Sequence, residues 1–309
     1  MSKSIAVSVL IPAYGTARYI AETLDSALSQ TRRDLEVIVI NDGDPDTSAL
    51  ETAIEPYRSR IVYLTKANGG LASARNFGLL TSRGKFVALL DSDDLWEPDC
   101  LERLLEPLEQ DPDVGVAYPD ARIFGDGPWV GRRYFDIYPK PRAENPVDCL
   151  RLLRRESYVF GSVVMRKGLL VRAGGFDETL RASEDFDLWL RFAAAGVKFS
   201  YVDKPLVRYR SRQASLSSDS SGMYLSLEQV YAKFLAAEDI GSEARCLAEQ
   251  ELERVRSSLA LELGRRAFFN GDDSEAIRYL SKANQLRRTW KASFVLAGLR
   301  LWPAGLRAT

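Results

Sequence analysis

The sequence predicts an α/β fold, in which a mostly parallel sheet is followed by a helical C-terminal extension. Over residues 5–120, short apolar runs rich in β-branched residues alternate with segments whose apolar residues recur at helical spacing. Alternation of this kind forms βαβ units, whose strands are parallel. Beyond residue 222 the chain is poor in glycine and proline, and its apolar spacing is helical.

The individual elements follow this rhythm. Predicted strands cover residues 5–11, 35–40, 61–65 and 86–90, and predicted helices cover residues 17–30 and 71–82. In the first helix, the apolar side chains that fall on one face are Ile20, Leu24, Ala27 and Leu28. Because ligands bind beyond the carboxyl ends of parallel strands, the residues after each strand are candidates for a functional site.

Composition excludes several classes of protein. The 309 residues carry 42 basic and 43 acidic side chains, which argues against disorder and against nucleic-acid binding through a general positive charge. No apolar run approaches the roughly 18 residues of a membrane span. The three cysteines are odd in number and far apart, which excludes a disulfide scaffold or a Cys-rich zinc site and favours a cytoplasmic location.

Histidine is absent from the chain. Its absence removes Ser-His-Asp and Cys-His catalysis, histidine-ligated metals and imidazole bases. Any acid–base or metal chemistry must therefore come from carboxylates.

Acidic residues cluster after two of the predicted strands. Asn41-Asp42-Gly43-Asp44-Pro45-Asp46 follows the second strand, and Asp91-Ser92-Asp93-Asp94 follows the fourth. Two acidic clusters at one sheet edge repel each other unless a cation or a donor-rich ligand neutralises them. The first cluster is equally well explained as a turn, because Asp-Gly pairs form turns. The second places three carboxylates directly after an apolar strand, which favours a hard cation such as Mg²⁺ or Mn²⁺.

Five motifs occur in order along residues 5–217. They are Ile11-Pro12-Ala13-Tyr14, the turn 41–46, Asn68-Gly69-Gly70 with Ala74-Arg75-Asn76, Leu90-Asp91-Ser92-Asp93-Asp94, and Gly174-Gly175-Phe176-Asp177 with Ser183-Glu184-Asp185. Together they resemble the family 2 glycosyltransferases of bacterial type, which have the Rossmann-like GT-A fold. The resemblance implies inverting transfer of a sugar from a nucleotide-diphosphate donor, with a UDP-sugar expected, to an acceptor hydroxyl. It also implies a setting in cell-surface polysaccharide or glycolipid assembly, with a glycan or lipid-linked acceptor.

The resemblance assigns the donor site residue by residue. Pro12, Ala13, Tyr14 and Asp42 match the positions that hold the uracil and ribose, and the Asp42 carboxylate can accept an N–H of the base. Arg75 matches the family's donor-site arginine, whose guanidinium suits a diphosphate.

Metal and base roles come from carboxylates. Asp91 and Asp93 match the family's DxD pair, with Asp93 expected as the direct ligand of Mn²⁺ or Mg²⁺ and Asp91 nearer the ribose or a metal-bound water. Asp185 matches the catalytic base. The alternative for this segment is helix capping, with Ser183 as the N-cap and Asp187 as a first-turn charge. Trp189 is explained equally well as the floor of an acceptor site or as core.

Two departures from the family pattern stand out. The acidic turn begins with Asn41 instead of an aspartate, and Asp44 replaces a common serine, so the preference for a nucleobase is less defined. Arg212 occupies a position that often holds a histidine of the metal or phosphate site. An arginine cannot ligate a metal but can bind a diphosphate, so we expect weaker metal affinity. The alternative is an exposed loop arginine.

Acceptor contacts are expected from residues 120–180. Residues 124–141 are rich in glycine, proline and aromatic residues, which predicts a long loop over the active site. Such a loop suits either a sugar and phosphate or a flap that covers the sheet.

The sequence predicts a catalytic domain at 1–221 and a helical extension at 222–309. Within the extension, residues 263–283 have the spacing of one tetratricopeptide-like hairpin, with Asp272 and Glu275 as a capping box. Residues 276–309 carry seven basic and no acidic side chains. Their apolar, Trp-bearing end at 288–309 favours peripheral contact with the anionic inner face of the cytoplasmic membrane. The alternative is a terminal helix docked on the hairpin.

Two other functions stay open from the sequence. A nucleotidyltransferase that makes nucleotide sugars needs a Gly-rich, Arg-bearing loop after the first strand, which Pro12-Ala13-Tyr14-Gly15 does not supply. An inactive GT-A scaffold acting through its helical extension is disfavoured by the joint presence of Asp42, Asp93 and Asp185.

Overall fold

A computed structural model describes residues 5–127, 129–140, 147–212, 219–238 and 240–287, together with Ser293, Leu296 and Ala297. The chain divides into two compact units, residues 1–214 and 215–309. The described part of the first unit contains a sheet with flanking helices, and that of the second unit is helical.

The described residues of the first unit form an eight-stranded sheet. Its strands are β1 (Val7–Ala13), β2 (Leu35–Asp42), β3 (Val62–Lys66), β4 (Phe86–Leu89), β5 (Leu95–Trp96), β6 (Val114–Gly125), β7 (Val164–Arg166) and β8 (Lys198–Ser211). The strand order is β3-β2-β1-β4-β7-β6-β8-β5. Neighbours among β1 to β4 are parallel, β6 and β8 are parallel, and β7 and β5 run antiparallel to their neighbours. The predicted α/β fold with a mostly parallel sheet is confirmed.

Helices connect the strands. They are α1 (Ile20–Leu28), α2 (Thr47–Ile54), α3 (Leu71–Thr81), α4 (Cys100–Gln110), α5 (Cys149–Leu153), α6 (Lys167–Arg172) and α7 (Glu184–Ala194). The start of α2 is fixed by Asp46, whose carboxylate accepts the N–H of Ala49 at 3.0 Å. The start of α3 follows Gly70, which has a φ of 86°.

The sheet's centre sets the position of the site. Every residue of β1 and of β4 is buried, so side chains along these strands are core. Because β1, β2, β4 and β8 run in the same direction, their carboxyl ends meet at one edge of the sheet. The polar residues that follow these strands therefore lie along the edge where ligands bind in open α/β sheets.

The predicted long loop at 124–141 differs from the structure at its start. Strand β6 continues to Gly125, and the chain then returns along it, because the N–H of Ile123 donates to the carbonyl of Arg132 at 2.9 Å. A 3₁₀ turn follows at Tyr134–Asp136. The sequence signal of glycine and aromatic residues therefore marks a hairpin-like return, and residues 128 and 141–146 lie outside the described residues.

The described part of the second unit contains α8 (Ser220–Ala236), α9 (Ser242–Phe269) and α10 (Asp273–Leu286). Asp272 caps α10 by accepting the N–H of Glu275 at 3.0 Å. The predicted helical C-terminal extension is confirmed. None of the helices formed by described residues combines the length and apolar character needed to cross a membrane.

Most of segment 288–309 lies outside the described residues. Of the three exceptions, Leu296 packs in a buried cluster with Ala276 and Leu280, and Ser293 donates to the Asn284 amide oxygen at 3.3 Å. These contacts lie on the α9–α10 hairpin. The membrane contact expected for 288–309 stays a prediction.

Candidate active site

The turns after β1 and β2 are tied together by a buried aspartate. Asp44 is 6% exposed, and its carboxylate accepts the N–H of Gly15 at 2.6 Å and the N–H of Asp46 at 2.8 Å. The Asn41 amide oxygen accepts the N–H of Asp44 at 2.7 Å. Asn41 and Asp44, the two departures from the family pattern, therefore hold each other and shape this edge of the sheet.

Asp42 organises the turn after β3. Its carboxylate accepts from Lys66 Nζ at 2.7 Å and from the backbone N–H groups of Gly69 at 3.0 Å and Gly70 at 2.8 Å. Gly43, the next residue, has a φ of 67°, and a Cβ there would lie 2.6 Å from the backbone nitrogen of Asn68. The two turns therefore pack backbone to backbone, and the Asp42 carboxylate is already engaged within the protein.

The residues expected at the nucleobase differ in exposure. Pro12 and Ala13 are buried residues at the carboxyl end of β1, so their side chains belong to the core. Tyr14 directly follows β1 and is 53% exposed. Among these three, Tyr14 has a ring free to stack on a ligand.

The acidic turn after β4 is held to strand β8 by Asp94, the last residue of the turn. Asp94 is buried, and its carboxylate accepts the backbone N–H of Arg210 in β8 at 2.8 Å. Burial raises the pKa of Asp94, and the nearby Asp91 and Asp93 carboxylates raise it further. Asp91 itself is 43% exposed. Asp94 therefore fixes the turn to β8, and the carboxylates of Asp91 and Asp93 are the two that a ligand could contact.

Arg75 in α3 connects this turn to helix α7. One guanidinium nitrogen donates to Asp91 at 3.0 Å and the other donates to Glu184 at 2.6 Å. Arg75 is 3% exposed, its Nε has no hydrogen-bond partner, and its guanidinium lies 5.4 Å from the centre of the Phe176 ring. The arginine expected at the diphosphate is thus the ion-paired link between two carboxylates on different elements.

The segment that leads into α7 is held by Asn76, the neighbour of Arg75. The Asn76 amide donates to the carbonyl of Phe176 at 2.8 Å and accepts its N–H at 2.9 Å. Gly175 has a φ of 78°, and a Cβ there would lie 2.5 Å from the Asn76 oxygen. This close approach explains why glycine occupies this position of the Gly174-Gly175-Phe176-Asp177 motif.

Asp185 lies in the first turn of α7, where its carboxylate accepts the N–H of Phe186 at 2.7 Å. Burial raises its pKa, and Arg75 and the Phe186 N–H oppose that shift. Ser183 occupies the N-cap position, as the capping alternative expected, but its side chain does not cap the helix. Ser183 adopts a left-handed φ of 59°, and its buried hydroxyl makes no cap hydrogen bond. Asp187 lies in the first turn, as the alternative expected, and also pairs with Arg191 at 2.8 Å.

Asp93 and Arg212 form an ion pair. Arg212 directly follows the end of β8, and its Nε lies 2.6 Å from the Asp93 carboxylate, with the side chains 19% and 14% exposed. Burial raises the pKa of Asp93, Asp91 raises it further, and Arg212 opposes the shift. The arginine that replaces a common histidine therefore contacts the carboxylate expected to ligate a metal.

The donor chemistry of this turn fits a hard divalent cation. Asp91 and Asp93 offer carboxylate oxygens, the ligands that Mg²⁺ and Mn²⁺ prefer. Within the described part of the chain, no group of three or more acidic, cysteine or histidine side chains is arranged to hold a metal by itself. A cation held by one or two carboxylates together with substrate phosphates needs no larger group.

An aromatic cluster lies beside Asp185. The Tyr134 ring centre is 4.9 Å from that of Phe160 and 6.3 Å from that of Tyr209. Gly161 follows Phe160, and a Cβ at Gly161 would lie 3.8 Å from a carboxylate oxygen of Asp185. Burial raises the pKa of Tyr134, and the Asp185 carboxylate adds to the shift. Trp189, by contrast, is 2% exposed and packs on Phe192 and Phe199 as core.

Glu184, Lys66, Phe160 and Tyr209 were not singled out from the sequence as site residues, and Tyr134 was expected only as one of the aromatic residues of segment 124–141. Glu184 is buried, and burial raises its pKa while Arg75 opposes the shift. Its place beside Asp185 in an acidic pair was the available signal. For Lys66, the only signal in the sequence was its position directly after a predicted strand.

The sheet topology, the acidic turn and the α7 carboxylate define a glycosyltransferase of GT-A fold. The chain belongs to the glycosyl transferase family 2, whose profile matches residues 8–165.

Named relatives are bacterial. The chain is 30% identical over 235 residues to an uncharacterized glycosyltransferase, RP339, of Rickettsia prowazekii, covering 74% of this chain and 71% of that protein. Three other Rickettsia glycosyltransferases, from R. bellii, R. conorii and R. felis, are longer, and the chain covers 41% to 45% of them. It is 33% identical over 201 residues to the chondroitin synthase of Pasteurella multocida, covering 64% of this chain and 20% of that enzyme.

Solved structures share the fold at low identity. Residues 1–349 of S. aureus TarS in complex with UDP-GlcNAc superpose with a TM-score of 0.64 at 20% identity, covering 98% of this chain and 87% of that one. The mannosyltransferase PcManGT from Pyrobaculum calidifontis, in complex with GDP-Man and Mn²⁺, gives a TM-score of 0.60 at 20% identity, covering 98% and 80%.

Proposed function

We propose that this enzyme transfers a sugar, with inversion, from a UDP-sugar to a hydroxyl of a glycan or glycolipid acceptor in polysaccharide synthesis. The observation that carries the proposal is the Arg75 bridge, which joins the acidic turn to the helix that bears Asp185. A phosphate-facing turn and a carboxylate with a raised pKa are thereby held at one sheet edge. The UDP-GlcNAc complex of TarS supports the donor class, and the chondroitin synthase relative supports a polysaccharide product.

In the proposed reaction, Asp185 accepts the proton of the acceptor hydroxyl while that oxygen attacks the anomeric carbon. The bond from the anomeric carbon to the diphosphate breaks, its electron pair leaves with the nucleotide diphosphate, and the configuration inverts. A base is most effective when its pKa lies near the working pH, and burial moves Asp185 in that direction.

The donor is held by the edge that β1, β2 and β4 form. Tyr14 stacks on the nucleobase with its exposed ring, Pro12 and Ala13 contribute backbone, and Asp42 holds the surrounding turn in shape. Asp93 would hold a divalent cation directly, with Asp91, already paired with Arg75, nearer the ribose or a metal-bound water. That cation, when bound, neutralises charge that develops on the departing diphosphate.

The acceptor lies against Tyr134 and Tyr209, which are partly exposed, whereas Phe160 is buried and packs on both rings. Aromatic faces stack on the apolar C–H faces of sugar rings, and Gly161 leaves room for an acceptor next to the Asp185 carboxylate. This arrangement brings the acceptor hydroxyl to the base.

Calorimetric titration with UDP, GDP and dTDP, each with and without Mn²⁺, tests the proposal. We expect wild type to bind UDP with the highest affinity and in a metal-dependent way. Asp93→Asn should lose the metal dependence. Asp113→Asn is the matched control, because Asp113 is exposed and precedes β6 at the opposite edge of the sheet.

Binding of none of the three nucleotides would contradict the proposal and favour the inactive scaffold. Release of pyrophosphate from a nucleoside triphosphate and a sugar phosphate would instead identify a nucleotidyltransferase.

A further inference from the structure

The Asp93–Arg212 ion pair occupies the carboxylate that the proposed function assigns to a divalent cation. The two side chains meet at 2.6 Å and are largely shielded from water, at 14% and 19% exposure. A carboxylate in such a place is costly without a counter-charge, and Arg212 supplies one. The negative charge of Asp93 is therefore balanced by Arg212 before any ligand binds.

A cation and Arg212 compete for Asp93. A guanidinium has N–H donors and no lone pair to offer a metal, so Arg212 cannot join the coordination sphere. With both bound to one carboxylate, two positive charges would lie within a few ångströms of each other and repel. We therefore expect binding of the cation to Asp93 to displace Arg212.

Arg212 is placed to move, whereas Arg75 is not. Arg75 is 3% exposed and held by Glu184 as well as by Asp91. Arg212 is more exposed and directly follows the last residue of β8. Its guanidinium also lies 5.8 Å from the ring centre of Tyr19, so an aromatic surface flanks it. Displacement of Arg212 thus leaves the Arg75 bridge intact.

We propose that Arg212 is the resident counter-ion of Asp93 in the nucleotide-free enzyme, and that a divalent cation and a nucleotide diphosphate replace this ion pair together. The cation takes Asp93, and the diphosphate takes the released guanidinium through charge-assisted hydrogen bonds. The inference rests on the proposed donor class. It makes cation and nucleotide binding cooperative, because each ligand provides a partner for a group that the other releases.

The test compares Mn²⁺ binding alone with UDP binding in saturating Mn²⁺, for wild type, Arg212→Gln and Arg208→Gln. Manganese is followed by its electron paramagnetic resonance signal and UDP by calorimetry. Arg208 is the matched control, since it is an exposed arginine of the same strand and its loss removes the same charge.

We expect opposite effects in Arg212→Gln. Mn²⁺ alone should bind at least about fivefold tighter, the lower end of typical coupling between sites. UDP in saturating Mn²⁺ should bind about tenfold weaker, as for loss of a charge-assisted contact. Arg208→Gln should change both by less than about twofold, as expected of an exposed charge.

Unchanged or weaker Mn²⁺ binding in Arg212→Gln would overturn the inference, because Arg212 would then not compete with the cation. This failure is separate from failure of the proposed function, which appears as absent UDP binding to wild type. If circular dichroism shows that Arg212→Gln is unfolded, Arg212→Lys replaces it. Lysine keeps the charge but loses the planar fork, so UDP affinity should fall while Mn²⁺ affinity stays low; undiminished UDP affinity would overturn the inference.

Discussion

The Arg75 bridge gives a quantitative prediction. In Arg75→Met the apolar side chain fills much of the space under Phe176 but leaves Glu184 without its cation. Glu184 is 5% exposed, whereas Asp91 is 43% exposed, so most of the cost comes from Glu184. Removing one partner of a buried ion pair costs about 3–5 kcal/mol, while an exposed carboxylate that loses its partner costs less than about 1 kcal/mol. We expect Arg75→Met to lose about 3–5 kcal/mol of unfolding free energy.

The assay is urea denaturation of wild type, Arg75→Met, Glu184→Gln and the double variant. Because the double variant removes the orphaned charge, it should lie within about 2 kcal/mol of wild type. If the free-energy losses of the two single variants do not add in the double variant, the difference measures the interaction of Arg75 with Glu184 separately from the loss of packing around Phe176.

The deficit should also depend on pH. Without the guanidinium, burial raises the pKa of Glu184 further above its unfolded value. A group whose folded pKa is raised binds more protons in the folded state, so its contribution to stability is complete below the unfolded pKa and is lost as pH rises. The Arg75→Met deficit should therefore be larger at pH 8 than at pH 5. A loss below about 1 kcal/mol, or a deficit that is the same at both pH values, would refute the reasoning.

Two further predictions concern the base and its support. Asp185→Asn should lower kcat about 10²- to 10⁴-fold with UDP affinity unchanged, and a variant that keeps its kcat would contradict the assignment. Because the pKa of Asp185 is raised and the base must be ionised, wild-type kcat/KM should fall toward low pH, with a midpoint above the ordinary aspartate pKa. Gly175→Ala should lose about 2–3 kcal/mol in urea denaturation, from the left-handed φ and the contact with Asn76. Gly174→Ala, with the same φ of 78° but nothing within 4 Å of its Cβ, should lose only the φ part, and equal losses would show that the contact is harmless.

The sequence predicted the sheet and its ligand-binding edge better than it predicted which side chains pair with each other. The βαβ rhythm determines that the polar residues after β1, β2 and β4 share an edge, because parallel strands end together. It cannot predict that Arg75 joins Glu184, 109 residues away, since residue types alone do not specify partners. Ser183 lies at the predicted N-cap position, but the contribution of its side chain was not predictable for a related reason. A serine before an acidic turn has the composition of a cap, yet the left-handed backbone at Ser183 leaves its hydroxyl without a cap hydrogen bond.

The distribution of cations at this edge bears on the role of base that we propose for Asp185. Arg75 contacts Asp91 and Glu184, and Arg212 contacts Asp93; the arginines oppose the rise in the pKa of Glu184 and of Asp93 that burial causes. Asp185 instead accepts the uncharged N–H of Phe186, and Arg75 acts on it only through space. A cation in direct contact with Asp185 would lower its pKa and occupy an oxygen that the acceptor proton must reach. Because the arginines are paired with its neighbours, repulsion among the carboxylates is relieved while Asp185 keeps a raised pKa. This division of partners satisfies two opposing demands, a neutralised edge for a diphosphate and a basic carboxylate for the acceptor.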